Sequence, residues 1–201
     1  IWISIFNSVS AFCNAGIDII AENSLCNYAH NPMINFTTCM LIIVGGIGYI
    51  VWWDLIRVLS LIKKQGLQCF KRLTMHSKIA IWMTVLLILS GTLAFFVLEY
   101  NNPLTIGEET LFNKLQISFF QSVTTRTAGF ATVPQENLTN ASAMVSMILM
   151  FVGGSPVGTA GGVKTVTIAV LLITASSMIK NKNEITVFNR SIHQKAVKKS
   201  I

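Results

Sequence analysis

The chain has 201 residues, 52% of them hydrophobic and 11% charged, with a mean hydropathy of +0.61. Soluble domains carry about 25% charged residues, so this composition excludes an ordinary water-soluble domain. The net charge of +7 falls in two separate basic stretches rather than on one face, which argues against a nucleic-acid surface.

Taken in chain order, Ile1 is not a Met and no basic n-region follows it. No signal peptide is expected, and the chain reads as cut from something longer. Ile1 to Ala11 is apolar but short. Segments of about 10–14 residues suit re-entrant half-helices better than full crossings. Phe36 to Ile62 reads as a first spanning block, with Trp52 and Trp53 near one interface and Gly45, Gly46 and Gly48 as sites of close helix packing. Lys78 to Leu98 reads as a second span, closed by Glu99 and the turn-prone Asn101-Asn102-Pro103. Leu111 to Val123 is a second short apolar segment. Ala141 to Ile179 is long but interrupted: Met144 to Val152 and Val166 to Met178 are apolar, and between them lies a Gly- and Pro-rich stretch from Gly153 to Thr165. Such a break at membrane depth exposes backbone groups that lipid cannot satisfy, so it must be buried in protein or face a water-filled cavity.

Charge sets the sidedness. Arg57, Lys63, Lys64, Lys71, Arg72 and Lys78 lie between the first two long blocks, and Lys180, Lys182, Arg190, Lys195, Lys198 and Lys199 follow the last. The other connections are acidic, with Asp18, Glu22, Glu99, Glu108, Glu109 and Glu136 against Lys114 and Arg126. The positive-inside pattern makes the basic stretches cytoplasmic and the acidic ones external. Sequons at Asn35, Asn137 and Asn140 fall on or near the outside. Cys13, Cys26, Cys39 and Cys69 have no metal-like spacing and read mostly as small buried hydrophobes. His30, His76 and His193 are expected in solvated loops, and no catalytic constellation is present in the sequence.

The two short segments begin an internal repeat. Phe6, Ser8, Val9 and Ser10 align with Phe120, Ser122, Val123 and Thr124, and after a one-residue gap Ala15-Gly16-Ile17 aligns with Ala128-Gly129-Phe130. Repeated units are how many transport proteins build a central pathway. A dehydrated cation needs several oxygen ligands, which filters supply as backbone carbonyls, and glycine permits the backbone conformations that aim them inward. Cys13-Asn14-Ala15-Gly16 and Thr127-Ala128-Gly129, each preceded by a re-entrant helix, fit that role. Arg126 inside such a loop would repel an ion it touched, so a bracing role through carbonyls or a carboxylate is expected. The interrupted segment is not a phosphate-binding P-loop, because Val163 separates Gly162 from Lys164 and no strand precedes it. Lys164 reads as a charge in a cavity that repels cations or finds an acidic or carbonyl partner.

Phe6 to Asp18 resembles the second filter loop of the Trk/Ktr/HKT superfamily of potassium transporters. The string Thr125-Arg126-Thr127-Ala128-Gly129-Phe130 resembles the third, and Gly153 to Thr165 resembles the intramembrane gating loop of the third repeat. The Ktr-type membrane subunit is the nearest likeness. The resemblance implies an all-α membrane protein with repeated helix–pore helix–helix units around an ion path and one broken transmembrane helix. Residues 1–76 would be the latter part of the second repeat, and 77–201 the third. It implies a filter of Cys13, Asn14, Ala15, Gly16, Thr127, Ala128 and Gly129 whose backbone carbonyls hold potassium, braced by Arg126. The gating loop would comprise Gly153, Gly154, Ser155, Gly158, Thr159, Gly161, Gly162, Lys164 and Thr165. It further implies potassium uptake, sodium-dependent in some members, by a multi-pass homodimer in the plasma membrane's lipid bilayer. A cytoplasmic nucleotide-binding ring would control it, with no cofactor beyond the transported ion. The first and fourth filter loops are not in this stretch of sequence, so a fragment or a truncated protein is expected. The competing reading is a non-conducting scaffold that docks a partner through the basic 57–78 and 180–199 segments.

Overall fold

The computed structural model describes residues 1–20, 23–61, 70, 72–179, 186–187 and 190–191. Among the described residues seven α-helices carry the architecture: α1 (Trp2–Phe12), α2 (Pro32–Gly46), α3 (Tyr49–Leu59), α4 (Met75–Glu99), α5 (Leu111–Thr124), α6 (Asn140–Phe151) and α7 (Thr165–Ile179). The 3-10 turns Cys26–Tyr28 and Gln135–Asn137 lie in the loops, and Thr186–Val187 pairs antiparallel with Arg190–Ser191.

Helix starts follow local chemistry. Asn31, Thr110 and Thr139 accept hydrogen bonds from amides of the first turns of α2, α5 and α6, and Pro32 opens α2 where its missing N–H costs nothing. Thr74 caps α4, and the buried Asp54 accepts the Thr74 amide at 2.7 Å, which ties α3 to that cap. At the other end of α4 the buried Glu99 carboxylate accepts four bonds, from Asn102 Nδ2, Thr105 Oγ1, and the amide and hydroxyl of Thr139, at 2.7–2.9 Å. It thereby joins the end of α4 to the start of α6. Lys114 is buried as well; its ammonium donates to the carbonyls of Tyr100 and Gly107, both at 2.8 Å, and lies over the Tyr100 ring.

Helix α4 is 25 residues long and apolar, the one described helix with the length and composition to cross a bilayer unaided. Its outward face is greasy: Trp82, Leu86, Leu89, Leu93 and Val97 are all more than half exposed, as a lipid-facing surface requires. α1 and α5 are short, with 11 and 14 residues. They pack against α2 and against α2 and α4, respectively. Between them sits a core of Ala11, Cys39, Ile42, Ile88, Phe120, Val123 and Phe130.

The expected continuous span from Phe36 to Ile62 is not one helix. α2 and α3 meet at 98°. Ile47 closes α2, and Gly48 turns the chain at φ 88°, a conformation that only glycine adopts freely. The carbonyls that α2 leaves unpaired at its end are taken by amides of the Gly- and Pro-rich segment: Thr159 N donates to Gly45 O at 3.2 Å and Ser155 N to Gly46 O at 3.0 Å. The bend is thus a docking platform for that segment: the missing side chain of Gly48 lets the Pro156 carbonyl approach, and that of Gly45 leaves room for the Phe12 carbonyl and the Thr159 hydroxyl.

Three smaller expectations also change. Asn35 is 1% exposed and donates to Ala29 O, so its sequon is closed to a glycan. Of the three described cysteines only Cys39 is buried; Cys26 is half-buried and Cys13 exposed, while Cys69 lies outside the described residues. His76 sits in the first turn of α4 with a buried Nε2 rather than in a solvated loop, and His193 lies outside the described residues.

Candidate functional site

Both short helices end in the same unusual backbone. Asn14 and Gly16 have φ of 53° and 67°; Thr127 and Gly129 have 77° and 98°. Thr127 is β-branched, so a positive φ there is a genuine outlier held in place by its surroundings. The amide of Ala15 donates to Ser10 O and that of Ala128 to Thr124 O, the two carbonyls that the sequence alignment makes equivalent. The extra residue of the first loop therefore lies between Ser10 and Asn14.

The loops meet each other. A Cβ on Gly16 would overlap the Ala128 carbonyl oxygen and lie 3.0 Å from the Gly129 Cα, and one on Gly129 would lie 3.4 Å from the Gly16 Cα. Thr124 Oγ1 steadies the second loop by donating to Phe130 O at 2.6 Å. Beyond the loops, Leu25 N donates to Ala131 O, and Ala131 N to Ser24 Oγ. Cys13, Asn14, Ala15, Gly16, Thr127, Ala128 and Gly129 are thus brought to one place, although the two stretches are far apart in sequence.

The segment after α6 closes on itself. Val152 bridges Val163, Val163 N donates to Phe151 O, Gly154 N to Gly161 O, and Thr165 N to Gly154 O. Ser155 and Thr165 are completely buried, with their hydroxyls 3.2 Å apart. Lys164 Nζ donates to Ala160 O at 2.8 Å, so its partner is a carbonyl of its own loop.

This closed loop is fastened to both filter-like loops at repeat-equivalent positions. Asn14 Nδ2 donates to Thr159 Oγ1 at 2.7 Å, and Thr127 Oγ1 accepts from Gly161 N at 3.1 Å. Thr159 Oγ1 also donates to Phe12 O. Arg126 is 8% exposed and donates through Nη2 to Gly153 O at 3.3 Å. The carbonyl that Arg126 reaches belongs to the interrupted segment, not to either filter-like loop. Sequence reasoning missed the Gly45–Gly48 platform; three glycines within four residues were its signal.

Two short helices that end in matched left-handed loops, with the loop of a broken helix fastened to both, define a pore-repeat membrane protein. The chain belongs to the TrkH family of cation transport proteins, whose profile matches residues 1–201. It is 38% identical over its full length to the potassium/sodium uptake protein NtpJ of Enterococcus hirae, of which it covers 42%. It is 33% identical over 198 residues to the Ktr system potassium uptake protein B of Bacillus subtilis, spanning 98% of this chain and 42% of that one. The crystal structure of the potassium transporter TrkH from Vibrio parahaemolyticus superposes on 99% of this chain and 41% of its own, with a TM-score of 0.79 and 17% identity, and so shares the fold. The chain therefore spans about two fifths of the length of these relatives.

Proposed function

We propose that the chain forms two repeats of a potassium uptake pore in the plasma membrane, residues 1–76 completing one repeat and 77–201 forming the next. Cys13 to Gly16 and Thr127 to Gly129 supply backbone carbonyls to the ion, and Arg126 braces the second loop from behind. The segment from Gly153 to Thr165 is the gate. What carries this reading is the pairing of positive φ at Asn14 and Gly16 with Thr127 and Gly129, in loops that touch. Backbone strain repeated at equivalent positions is retained where carbonyls must converge. Relatives named for potassium and for potassium/sodium uptake support the choice of ion. Sodium dependence, a multi-pass homodimer and a cytoplasmic nucleotide-binding ring acting on the basic segments complete the proposal. Much of 57–78 and 180–199, on which the scaffold reading turns, lies outside the described residues.

The test is tracer uptake by the intact transporter in a potassium-uptake-deficient host. Deleting Gly154 to Gly161 should give a folded protein with faster potassium flux and weaker dependence on its regulator. A folded deletion with unaltered flux would dispose of the gate. Gly16→Ser and Gly129→Ser variants that both keep wild-type affinity and selectivity would dispose of the filter.

A further inference from the structure

Three buried polar atoms from three different elements have no protein partner: Asn14 Oδ1 in the first filter loop, Thr84 Oγ1 in the middle of α4, and Arg126 Nε in the second filter loop. Their residues are 9%, 5% and 8% exposed. All three residues line one small cavity of about 10 Å³, walled otherwise by apolar residues such as Ile43, Val123 and Ala160. A buried polar atom without a partner costs on the order of 1–3 kcal/mol, and native interiors leave few of them. Three around one cavity call for a common explanation.

From this we infer a binding site for a single water molecule between the two filter loops, α4 and the gate. The chemistry selects water over an ion. The orientation of the Asn14 amide is fixed because its other end lies 3.3 Å from Ile42 O, which only accepts, and 2.7 Å from Thr159 Oγ1. The cavity therefore sees a carbonyl acceptor from Asn14, an N–H donor from Arg126 and a hydroxyl from Thr84 that serves as either. A cation there would be repelled by the guanidinium, and an anion by Asn14 Oδ1. A neutral molecule that accepts from Arg126 Nε and donates to Asn14 Oδ1, with its remaining bond to Thr84, satisfies all three. The volume matches the ~10–15 Å³ minimum for one water, and three partners are its usual complement. The site makes Thr84 a positioning residue: through the water it fixes Arg126, which holds Gly153, and Asn14, which holds Thr159. The inference rests on packing and hydrogen bonding, and is independent of which ion the filter passes.

The test uses the intact transporter. A structure at about 2 Å should show a solvent peak within roughly 2.6–3.2 Å of the three atoms. A cavity without density there overturns the assignment, as does anomalous signal at that position after rubidium or bromide exchange. Thr84→Val separates the two states of the hydroxyl by sign. If it binds water, its loss strands the site and lowers Tm by roughly 1–3 °C, whereas Thr84→Ser stays near wild type. If the hydroxyl is an orphan, valine removes a buried unpaired group, and an unchanged or raised Tm overturns the site. Should the valine variant fail to fold, the density and the exchange experiment decide alone.

Discussion

Thr127→Val removes the hydroxyl that accepts the Gly161 amide, yet keeps the shape and branching of a residue held at φ 77°. Filter backbone strain is therefore unchanged, and the substitution acts on the fastening of the gate. Gly161 lies on an exposed part of its loop, so water can replace part of the lost bond. The net cost to the closed arrangement is then that of an ordinary neutral hydrogen bond, about 0.5–1.5 kcal/mol. Because ~1.4 kcal/mol is tenfold in an equilibrium constant, the closed-to-open ratio falls by roughly 2–10-fold, and a gate that is mostly closed opens in proportion. Rubidium-tracer uptake into vesicles holding the intact transporter should rise by that factor, with potassium-over-sodium preference preserved. Thr127→Ser keeps the acceptor and should stay near the wild-type rate. A folded Thr127→Val protein no faster than wild type, beside a normal Thr127→Ser, would refute the fastening.

The two proposed filter glycines should not respond alike. Both have positive φ, so alanine strains either, but Gly16→Ala must also displace the Ala128 carbonyl while Gly129→Ala meets only the Gly16 Cα at 3.4 Å; Gly16→Ala should therefore lose more folded protein in detergent than Gly129→Ala, whose folded fraction should show impaired potassium affinity. Gly48→Ala combines φ 88° with a Cβ 2.5 Å from Pro156 O, and should lower Tm by several degrees while raising flux, as the platform under the gate shifts. Arg126→Gln should lower thermal stability and uptake more than Thr124→Ser, because it leaves Gly153 O and the cavity beside it without their donor; equal stability and uptake in both would refute bracing.

Some of this architecture is legible in composition and spacing. The length and hydropathy of Lys78 to Leu98 foretell α4, and the Gly- and Pro-rich interval foretells the break between α6 and α7, because both depend on how many apolar residues follow one another. The repeat is legible down to its one-residue gap, since the same local strain needs the same small residues. The bend at Gly48 is not, because Ile47 and Tyr49 are as apolar as a continuous span would have, and hydropathy carries no backbone angle. Nor are the fastenings. Asn14 and Thr159 are 145 positions apart, and Thr84 is one hydroxyl in an apolar helix, so only the folded chain reveals what each one faces.

The glycines of the proposed gate look at first like a recipe for flexibility, since each orders at high entropic cost. Their surroundings say something else. A Cβ on Gly153 would overlap the Gly161 carbonyl; on Gly154 it would lie 2.9 Å from Gly46 O, and on Gly158 2.6 Å from the same oxygen. Gly162 combines φ 71° with the Gly153 backbone 2.8 Å away. These four are glycine because backbone approaches backbone, and the closed loop has one packed shape rather than many. Opening must then be a displacement that breaks a definite set of bonds, from Gly45 O, Gly46 O, Asn14, Thr127 and Arg126 to the loop. Gly161 is the exception: nothing lies within 4 Å of the site of its Cβ, and its φ is not in the left-handed region. Gly161→Ala should therefore fit the closed form without strain while restricting the released loop, favouring closure by about 0.4–1 kcal/mol. That corresponds to roughly a 2–5-fold fall in flux, the opposite sign to Thr127→Val, with thermal stability equal to wild type or slightly above. A Gly161→Ala transporter that conducts as fast as wild type or faster would show that the loop gains no backbone freedom at Gly161 when it is released.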